Sequence, residues 1–460
     1  MSTVKYKIKS ALHDQQLYAA IQNASNLSTA KRDDQILGLD DYESSRDAAR
    51  EVRQRSVDYS PRLIEKFTRE FTALGGKVYI AANASEANRI TINILKSHGA
   101  EKGVKSKSMV TEEIFLGRAL ESAGIDAVET DLGEYIVQLA GEKPSHITAP
   151  AMHKSRQSIG RLFAEKLGIK YTDDPAELTE VARGMLRERF LNAEFGISGA
   201  NFLIAETGHI AIVENEGNVR LGLSIPPVYI AVTGIEKLLE KLADLSPLVK
   251  MLAKSATGQK FSGYFHLLKP SREGEDGPEE MHVILIDNGR SRAMADPEMR
   301  EMMLCIRCGA CLNECPVYRT IGGHAYDSTY PGPMGSVLSN LLGRNKMLHQ
   351  ELPDLSTLCG ACKDVCPVRI DLPKLLLELR ARREKPLSHN MLASGWKWTM
   401  ESSSRVEVAG KFARMVEKVV PKVMSGGIKP GGPGSFRTQV EKRKSQVESP
   451  KSKIRTDDEQ

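Results

Sequence analysis

All seven cysteines of this chain lie between residues 305 and 366, and their spacing constrains the fold more than any other feature. The first run reads Cys305-Ile-Arg-Cys308-Gly-Ala-Cys311-Leu-Asn-Glu-Cys315-Pro316. This C-x2-C-x2-C-x3-C-P pattern is typical of bacterial ferredoxins, in which a tight loop brings thiolates together around one cluster. The run therefore predicts an iron–sulfur site.

A second run has the same spacing with a serine at its first position: Ser356-Thr-Leu-Cys359-Gly-Ala-Cys362-Lys-Asp-Val-Cys366-Pro367. In two-cluster ferredoxins the fourth cysteine of each run ligates the other cluster. We therefore expect one cluster on Cys305, Cys308, Cys311 and Cys366, and another on Cys315, Cys359 and Cys362. The first should be a 4Fe–4S cluster. The second should be 3Fe–4S, or 4Fe–4S with a serine, water or partner ligand.

Zinc is the main alternative to iron–sulfur clusters, because C-x2-C pairs often bind it. Structural zinc sites take four ligands, commonly as two pairs. Here two interlocked runs each end in Cys-Pro, which favours iron–sulfur clusters. Disulfides are not expected, because the N-terminal sequence MSTVKYKIKSALHDQQ has no apolar core and no twin arginine that would direct export.

Net charge and the lengths of apolar runs limit which partners and which cellular location are expected. The formal net charge of +5, from 64 basic and 59 acidic residues, does not suggest a nucleic-acid partner. No apolar run approaches the roughly 18–20 residues of a membrane span. We therefore expect a cytoplasmic protein without an integral membrane segment. Any association with the inner face of the membrane is expected to be peripheral and through a partner protein.

The pattern along the chain indicates an α/β domain followed by an all-α ferredoxin-like domain. Short β-rich runs such as KVYIAA, PPVYIAV and MHVILID alternate with helical stretches such as PAELTEVARGMLRERFL, which favours a largely parallel sheet. We predict a helical segment over residues 1–65, the α/β domain over 66–292, the ferredoxin domain over 293–388, a helical extension with Trp396 and Trp398 over 389–425, and a disordered tail over 426–460.

Three polar stretches of the α/β domain predict a ligand pocket, since ligands of open α/β sheets bind where strands end. The candidate residues are Lys105, Ser106, Lys107, Glu206, Thr207, Gly208, Glu216, Gly217, Asn218 and Arg220. The lysines and the start of a helix just after them suit an anion. The alternative is that the glycines form tight turns and the lysines are solvated. Catalytic residues are not identified, and no standard NAD, FAD or ATP fingerprint is present.

Several segments resemble the lactate-utilisation B proteins over roughly residues 30–420. They are KSKSMVTEEI, VETDLGEYIVQL, PSHITAPAMHKSR, AETGHIAIVENEGNVRLGLSIPPVYIAVTGIEKL and CIRCGACLNECPVYRTIGGHAYDSTYPGPMG. The cysteine segment is also similar to the helical two-cluster ferredoxins of succinate dehydrogenase and glycolate oxidase. The resemblance implies an N-terminal lactate-utilisation domain of the CoA-transferase/formyltetrahydrofolate-cycloligase-like fold. It also implies two partner subunits, A and C, in cytoplasmic oxidation of L-lactate to pyruvate.

Three functions fit these observations. The first is an electron-transfer subunit that relays single electrons from a partner's oxidation site to an acceptor that the sequence does not name. The second is a self-contained oxidoreductase of 2-hydroxy acids or amino acids with the substrate in the α/β pocket. The third is a redox-sensing protein in which the α/β domain binds a ligand.

Overall fold

The computed structural model describes residues 3–271, 276–342, 350–383 and 387–410. The chain divides into two compact units, residues 1–383 and residues 384–460. The first unit contains the N-terminal helices, the α/β domain and all seven cysteines. The tail predicted to be disordered, 426–460, lies outside the described residues.

The strands form two sheets. Their bounds are β1 Lys77–Ala81, β2 Lys102–Lys105, β3 Asp126–Glu129, β4 Phe195–Ser198, β5 Phe202–Ile204, β6 His209–Glu214, β7 Val228–Gly234, β8 Leu238–Leu239, β9 Tyr264–Leu268 and β10 Glu280–Ile286. The larger sheet has the order β1-β10-β7-β4-β2-β3, and every pairing in it is parallel. The prediction of an α/β domain with a largely parallel sheet is thereby confirmed.

Helices surround this sheet and continue through the cysteine region. Their bounds are α1 Thr3–His13, α2 Gln15–Leu37, α3 Tyr42–Asp58, α4 Ser60–Ala73, α5 Ala84–Ser97, α6 Met109–Glu113, α7 Leu116–Ser122, α8 Leu132–Ala140, α9 Arg156–Leu167, α10 Pro175–Leu191, α11 Asn218–Ser224, α12 Leu245–Thr257, α13 Arg290–Ala295, α14 Ala310–Asn313, α15 Pro316–Ile321, α16 Gly332–Leu342, α17 Ala361–Asp364, α18 Leu372–Arg382 and α19 Leu387–Met400. Side-chain caps define several starts, because the first backbone N–H groups of a helix have no partner within it. Ser108 caps α6 and Asp131 caps α8 in this way.

The smaller sheet has the order β8-β5-β6-β9 and shares a hydrophobic core with the larger one. Strands β5 and β6 lie in the consecutive runs NFLIAETG and HIAIVEN and form an antiparallel hairpin outside the parallel sheet. The reason is their short connection, since a parallel crossover needs about a dozen residues or more. The hydrophobic core beneath this hairpin includes Phe67 and Phe71 of α4, both fully buried.

The N-terminal helices pack against the cysteine region, with α2 contacting α12 and α15. The second compact unit begins with α19, on which Trp396 and Trp398 are 68% and 59% exposed. The guanidinium of Arg405 lies 4.2 Å from the centroid of the Trp398 ring. Among the described residues, no helix is both long and apolar enough to cross a membrane.

Candidate iron–sulfur centres and the adjoining cavities

Four of the seven cysteines line one small cavity in the helical region. They are Cys305, Cys308, Cys311 and Cys366. Two backbone N–H groups donate to sulfur there: that of Arg307 to Cys305 Sγ at 3.4 Å and that of Ile370 to Cys366 Sγ at 3.3 Å. Arg307 and Gly309 adopt left-handed backbone conformations, with φ of 62° and 82°, which turn the chain sharply around the cavity.

The remaining three cysteines form a second group. Burial, together with the charges of Cys315 and Cys359, raises the pKa of Cys362 to about 12. Burial likewise raises the pKa of Cys315, and the charge of Cys359 adds to this effect. Cys359 is exposed, whereas Cys315 and Cys362 are buried. Cys305, Cys308, Cys311 and Cys366 therefore line one cavity, and the other three cysteines do not line it.

The donor sets fit iron–sulfur clusters. Burial raises the pKa of Cys308 and of Cys311, and the neighbouring thiols raise both pKa values further. Converging buried thiols are costly to ionise alone, whereas bound iron stabilises them as thiolates. Backbone N–H groups directed at the sulfurs are the contacts that tune such clusters.

Helix α3 fixes both cysteine loops through three arginines. Arg46 donates to the carbonyl oxygens of Asp364 and Cys366, both at 2.9 Å. Arg50 donates to the carbonyl oxygen of Arg369 at 2.6 Å. Sequence reasoning missed this role, although a spacing of four and then three residues places all three arginines on one helix face.

Arg53 completes this face of α3 and is fully buried. Its guanidinium donates to the carbonyl oxygens of Met303 at 2.9 Å and Leu304 at 3.2 Å, directly before the first cysteine. The N-terminal helices therefore hold the backbone on which the sulfurs are mounted.

A cavity of about 300 Å³ lies between the ends of β2 and β4 and the first cysteine loop. We call it the junction cavity; its lining includes Ser106, Lys107, Asp131, Ser198, Glu214, Glu216, Asn218, Lys237, Leu252, Ala256, Ile306, Arg307 and Tyr330. Four predicted pocket residues are therefore brought together: Ser106, Lys107, Glu216 and Asn218. The ammonium group of Lys107 is paired with Asp131 at 3.2 Å.

A second cavity of about 620 Å³, the acidic cavity, lies beside Lys105. Its other charged lining residues include Glu112, Glu129 and Glu134. Lys105 is 1% exposed and pairs with Glu129 and, at 3.2 Å, with Glu112. Burial and the charge of Glu129 raise the pKa of Glu134 well above its ordinary value, so this carboxyl is protonated at neutral pH. Of the predicted pocket residues, four thus line the junction cavity and Lys105 lines the acidic cavity.

The remaining predicted pocket residues line neither cavity. Glu206, Thr207 and Gly208 form the turn between β5 and β6, where Gly208 lies against the backbone of α4. Gly217 has φ of 73° and immediately precedes α11. It therefore serves to turn the chain, which was the alternative to a role in ligand binding. Arg220 is exposed on the same helix. These residues follow strands in the sequence, but they do not lie at the edge of the parallel sheet. The reason is that β5 and β6 belong to the other sheet.

Comparison with known proteins agrees with the division into an α/β domain and a cysteine-bearing helical region. The LUD domain model matches residues 64–286, and the 4Fe-4S dicluster domain model matches residues 301–370. The chain is 41% identical over 420 residues to Lactate utilization protein B of Bacillus cereus (strain AH820), which covers 91% of this chain and 88% of the relative. The chain belongs to the lactate utilization protein B family. Because the dicluster match contains every cysteine, the prediction of iron–sulfur clusters is confirmed.

A second relative of this lactate utilization B family member is the Uncharacterized electron transport protein YkgF of Escherichia coli (strain K12). It is 44% identical to this chain over 378 residues. The aligned region covers 82% of this chain and 79% of the relative. Among solved structures, a DUF162 family protein from Deinococcus radiodurans aligns with 49% of this chain and 98% of its own. The TM-score of that alignment is 0.28, at 13% identity.

Proposed function

We propose that this chain is the iron–sulfur electron-transfer subunit in the oxidation of L-lactate to pyruvate. The observation that carries the proposal is that four of the seven cysteines line one cavity, in a chain 41% identical to Lactate utilization protein B. The name of the second relative, an electron transport protein, agrees with the same role.

In this proposal Cys305, Cys308, Cys311 and Cys366 hold a 4Fe–4S cluster, and Cys315, Cys359 and Cys362 hold the second cluster. When bound, such clusters supply one-electron transfer. The protein's own residues set the surroundings: the α3 arginines fix the loops, backbone N–H groups hold the sulfurs, and burial of most of the thiols excludes water. These are the features by which a protein tunes a cluster.

Oxidation of L-lactate to pyruvate releases two electrons and two protons. Iron–sulfur clusters offer no group that accepts a hydride, and the sequence carries no standard flavin or nicotinamide fingerprint. We therefore place the oxidation site on a partner subunit, with this chain passing single electrons onward. The proposed partners are the A and C subunits of the lactate-utilisation system, in the cytoplasm.

The test is lactate-dependent reduction of an artificial electron acceptor after anaerobic purification. The isolated chain should contain iron and show cluster signals by EPR but should not reduce the acceptor with L-lactate. Addition of the two partner subunits should restore the activity. Reduction by the pure chain alone would instead establish a self-contained oxidoreductase, and a chain that binds no iron under these conditions would exclude both functions.

A further inference from the structure

Two imidazoles and one carboxylate lie close together where the α/β domain meets the cysteine-bearing helices. Glu142, His153 and His324 each place one potential metal-ligating atom within 4.8 Å of the others. We propose that these three side chains bind one divalent transition metal ion of the zinc type. None of the three lines the cavity that four of the cysteines share, so this site is separate from the first iron–sulfur centre and goes beyond the proposed electron transfer.

The two segments that carry these residues are packed tightly against each other. The carboxylate and one imidazole come from the segment between α8 and α9, whereas His324 lies in a short helical turn after α15. The hydroxyl of Tyr318 donates to the backbone carbonyl oxygen of Ser145 at 2.8 Å. A Cβ atom at Gly323 would overlap that same oxygen, so only glycine fits there. This close backbone contact holds the three ligands near one another.

His324 has one ring nitrogen engaged with a protein oxygen, as metal-bound histidines usually do. Its Nε2 donates to the backbone carbonyl oxygen of Lys143 at 2.6 Å. The proton is therefore on Nε2, and in the neutral ring Nδ1 carries the lone pair that can ligate a metal. The ring of His153 is its neighbour, with the two centroids 4.5 Å apart.

His153 shows the same pattern with its nitrogens exchanged. Nδ1 lies 2.9 Å from Ser145 Oγ, which itself donates to the carbonyl oxygen of Pro150 at 3.1 Å and can therefore accept the Nδ1 proton. Burial lowers the pKa of His153 despite its contact with Glu142, which favours the neutral ring. Nε2 then presents a lone pair to Oε2 of Glu142 at 2.6 Å. Two acceptors at this distance repel each other, and a metal ion bound to both removes the repulsion.

Charge and ligand type determine which metal the site favours. Oε1 of Glu142 pairs with Lys154 at 2.6 Å, so the negative charge of this carboxylate is already balanced. Affinity must therefore come from the imidazole lone pairs rather than from net charge. Mg²⁺ and Ca²⁺ prefer oxygen ligands. Two imidazoles and one carboxylate instead suit Zn²⁺ and its first-row neighbours, with water completing the coordination.

The experiment is equilibrium dialysis of the full chain, purified anaerobically with its clusters, against Zn²⁺ in a large excess of Mg²⁺. Zinc and iron are then counted by mass spectrometry. We expect the chain to retain about one zinc ion per molecule in addition to its iron. His153→Gln and His324→Gln should each lose this zinc and keep the full iron content. His13→Gln, which removes an exposed histidine of α1, is the matched control and should keep both metals.

Lys154→Met tests the electrostatics of the site. It should tighten zinc binding several-fold, because it removes a positive charge beside Glu142 and frees the second oxygen of that carboxylate. Dialysis against graded Zn²⁺ concentrations measures the change. Weaker binding in this variant would contradict the assignment of Glu142 as a ligand.

An iron-replete chain that retains no zinc overturns the inference and leaves electron transfer untouched. Zinc that both histidine variants retain in full, or that Mg²⁺ displaces, also overturns it. If the histidine variants fail to fold, zinc-edge X-ray absorption of the unmodified chain decides the question. Nitrogen and oxygen ligands at about 2.0–2.1 Å support the site, whereas sulfur ligands at about 2.3 Å place the zinc on cysteines and overturn it.

Discussion

Ser356 holds in the second cysteine loop the position that Cys305 holds in the first. Each accepts a hydrogen bond from the backbone N–H two residues later, Cys305 from Arg307 at 3.4 Å and Ser356 from Leu358 at 3.1 Å. Arg307 and Leu358 both have left-handed backbone conformations, with φ of 62° and 56°. The second loop is therefore a structural copy of the first, with an oxygen where the first has a sulfur.

Ser356→Cys should complete the second site, because the new thiol replaces the hydroxyl at an equivalent position. The unmodified protein should show the paramagnetic signal of an oxidised 3Fe–4S cluster, or lose one iron readily, and the variant should lose that signal and retain one further iron. Iron analysis and EPR of the oxidised protein measure both. Thr357→Cys, which adds a thiol one residue away, should not have this effect. A full iron complement without the signal in the unmodified protein would identify a non-cysteine ligand instead.

Cys308→Ser should abolish the first cluster, because that site loses one of its four thiolates. We expect loss of one cluster's iron, about four atoms, with the signal of the second cluster preserved. Anaerobic iron analysis and EPR check this outcome. Cys359→Ser should have the opposite effect, altering the signal of the second cluster and preserving that of the first. Retention of full iron content and an unchanged spectrum in Cys308→Ser would show that the assignment of ligands is wrong.

Glu236→Gln should destabilise the first compact unit strongly. Glu236 is 1% exposed and pairs with Arg290 and Arg307, so the substitution leaves buried cations without a partner. Breaking a buried ion pair costs about 3–5 kcal/mol in the free energy of unfolding. Glu180→Gln is the matched control, since the exposed pair with Arg183 contributes at most about 1 kcal/mol. Urea unfolding under anaerobic conditions measures both, and equal midpoints would refute the prediction.

Glu134→Gln should change how stability depends on pH. Burial raises the pKa of Glu134, so the folded protein keeps this proton while the unfolded chain loses it above the ordinary pKa of 4.5. Ionisation of the unfolded chain therefore lowers the free energy of unfolding as pH rises from 4.5 through the folded pKa. The variant should be more stable than the unmodified chain above neutral pH and show a smaller slope. Glu165→Gln, which alters an exposed side chain, should leave the slope unchanged.

Trp398→Ala and Trp396→Ala should weaken binding to the partner subunits. Both rings are more than half exposed on α19, and exposed aromatic side chains are frequent anchors of protein interfaces. Loss of an anchor costs about 2 kcal/mol or more, which corresponds to about thirty-fold in affinity. Co-purification and surface plasmon resonance with the partner subunits measure the effect. Met400→Ala, at a neighbouring exposed position, is the control, and unchanged affinity of both tryptophan variants would exclude this helix from the interface.

The elements that were predicted correctly depend on short stretches of chain. The cysteine spacing indicated iron–sulfur clusters because a few consecutive residues determine where neighbouring thiols point. Strands β1, β7 and β10 were evident from compact runs of apolar residues, which are characteristic of a sheet buried on both faces. The antiparallel hairpin of β5 and β6 and its membership of a second sheet were not predicted.

The iron–sulfur chemistry, the α/β domain and the order of the two regions thus follow from the amino-acid pattern alone. Which residues meet depends on how the elements pack: Arg53 of α3 reaches the first cysteine loop, and Lys237 and Arg307 line the same cavity. Lys105 and Lys107 line different cavities although residues two apart in a strand share a face, because β2 ends at Lys105 and Lys107 lies beyond the strand. The reason is physical, since local spacing is set by backbone geometry whereas contacts across hundreds of residues depend on how whole elements pack.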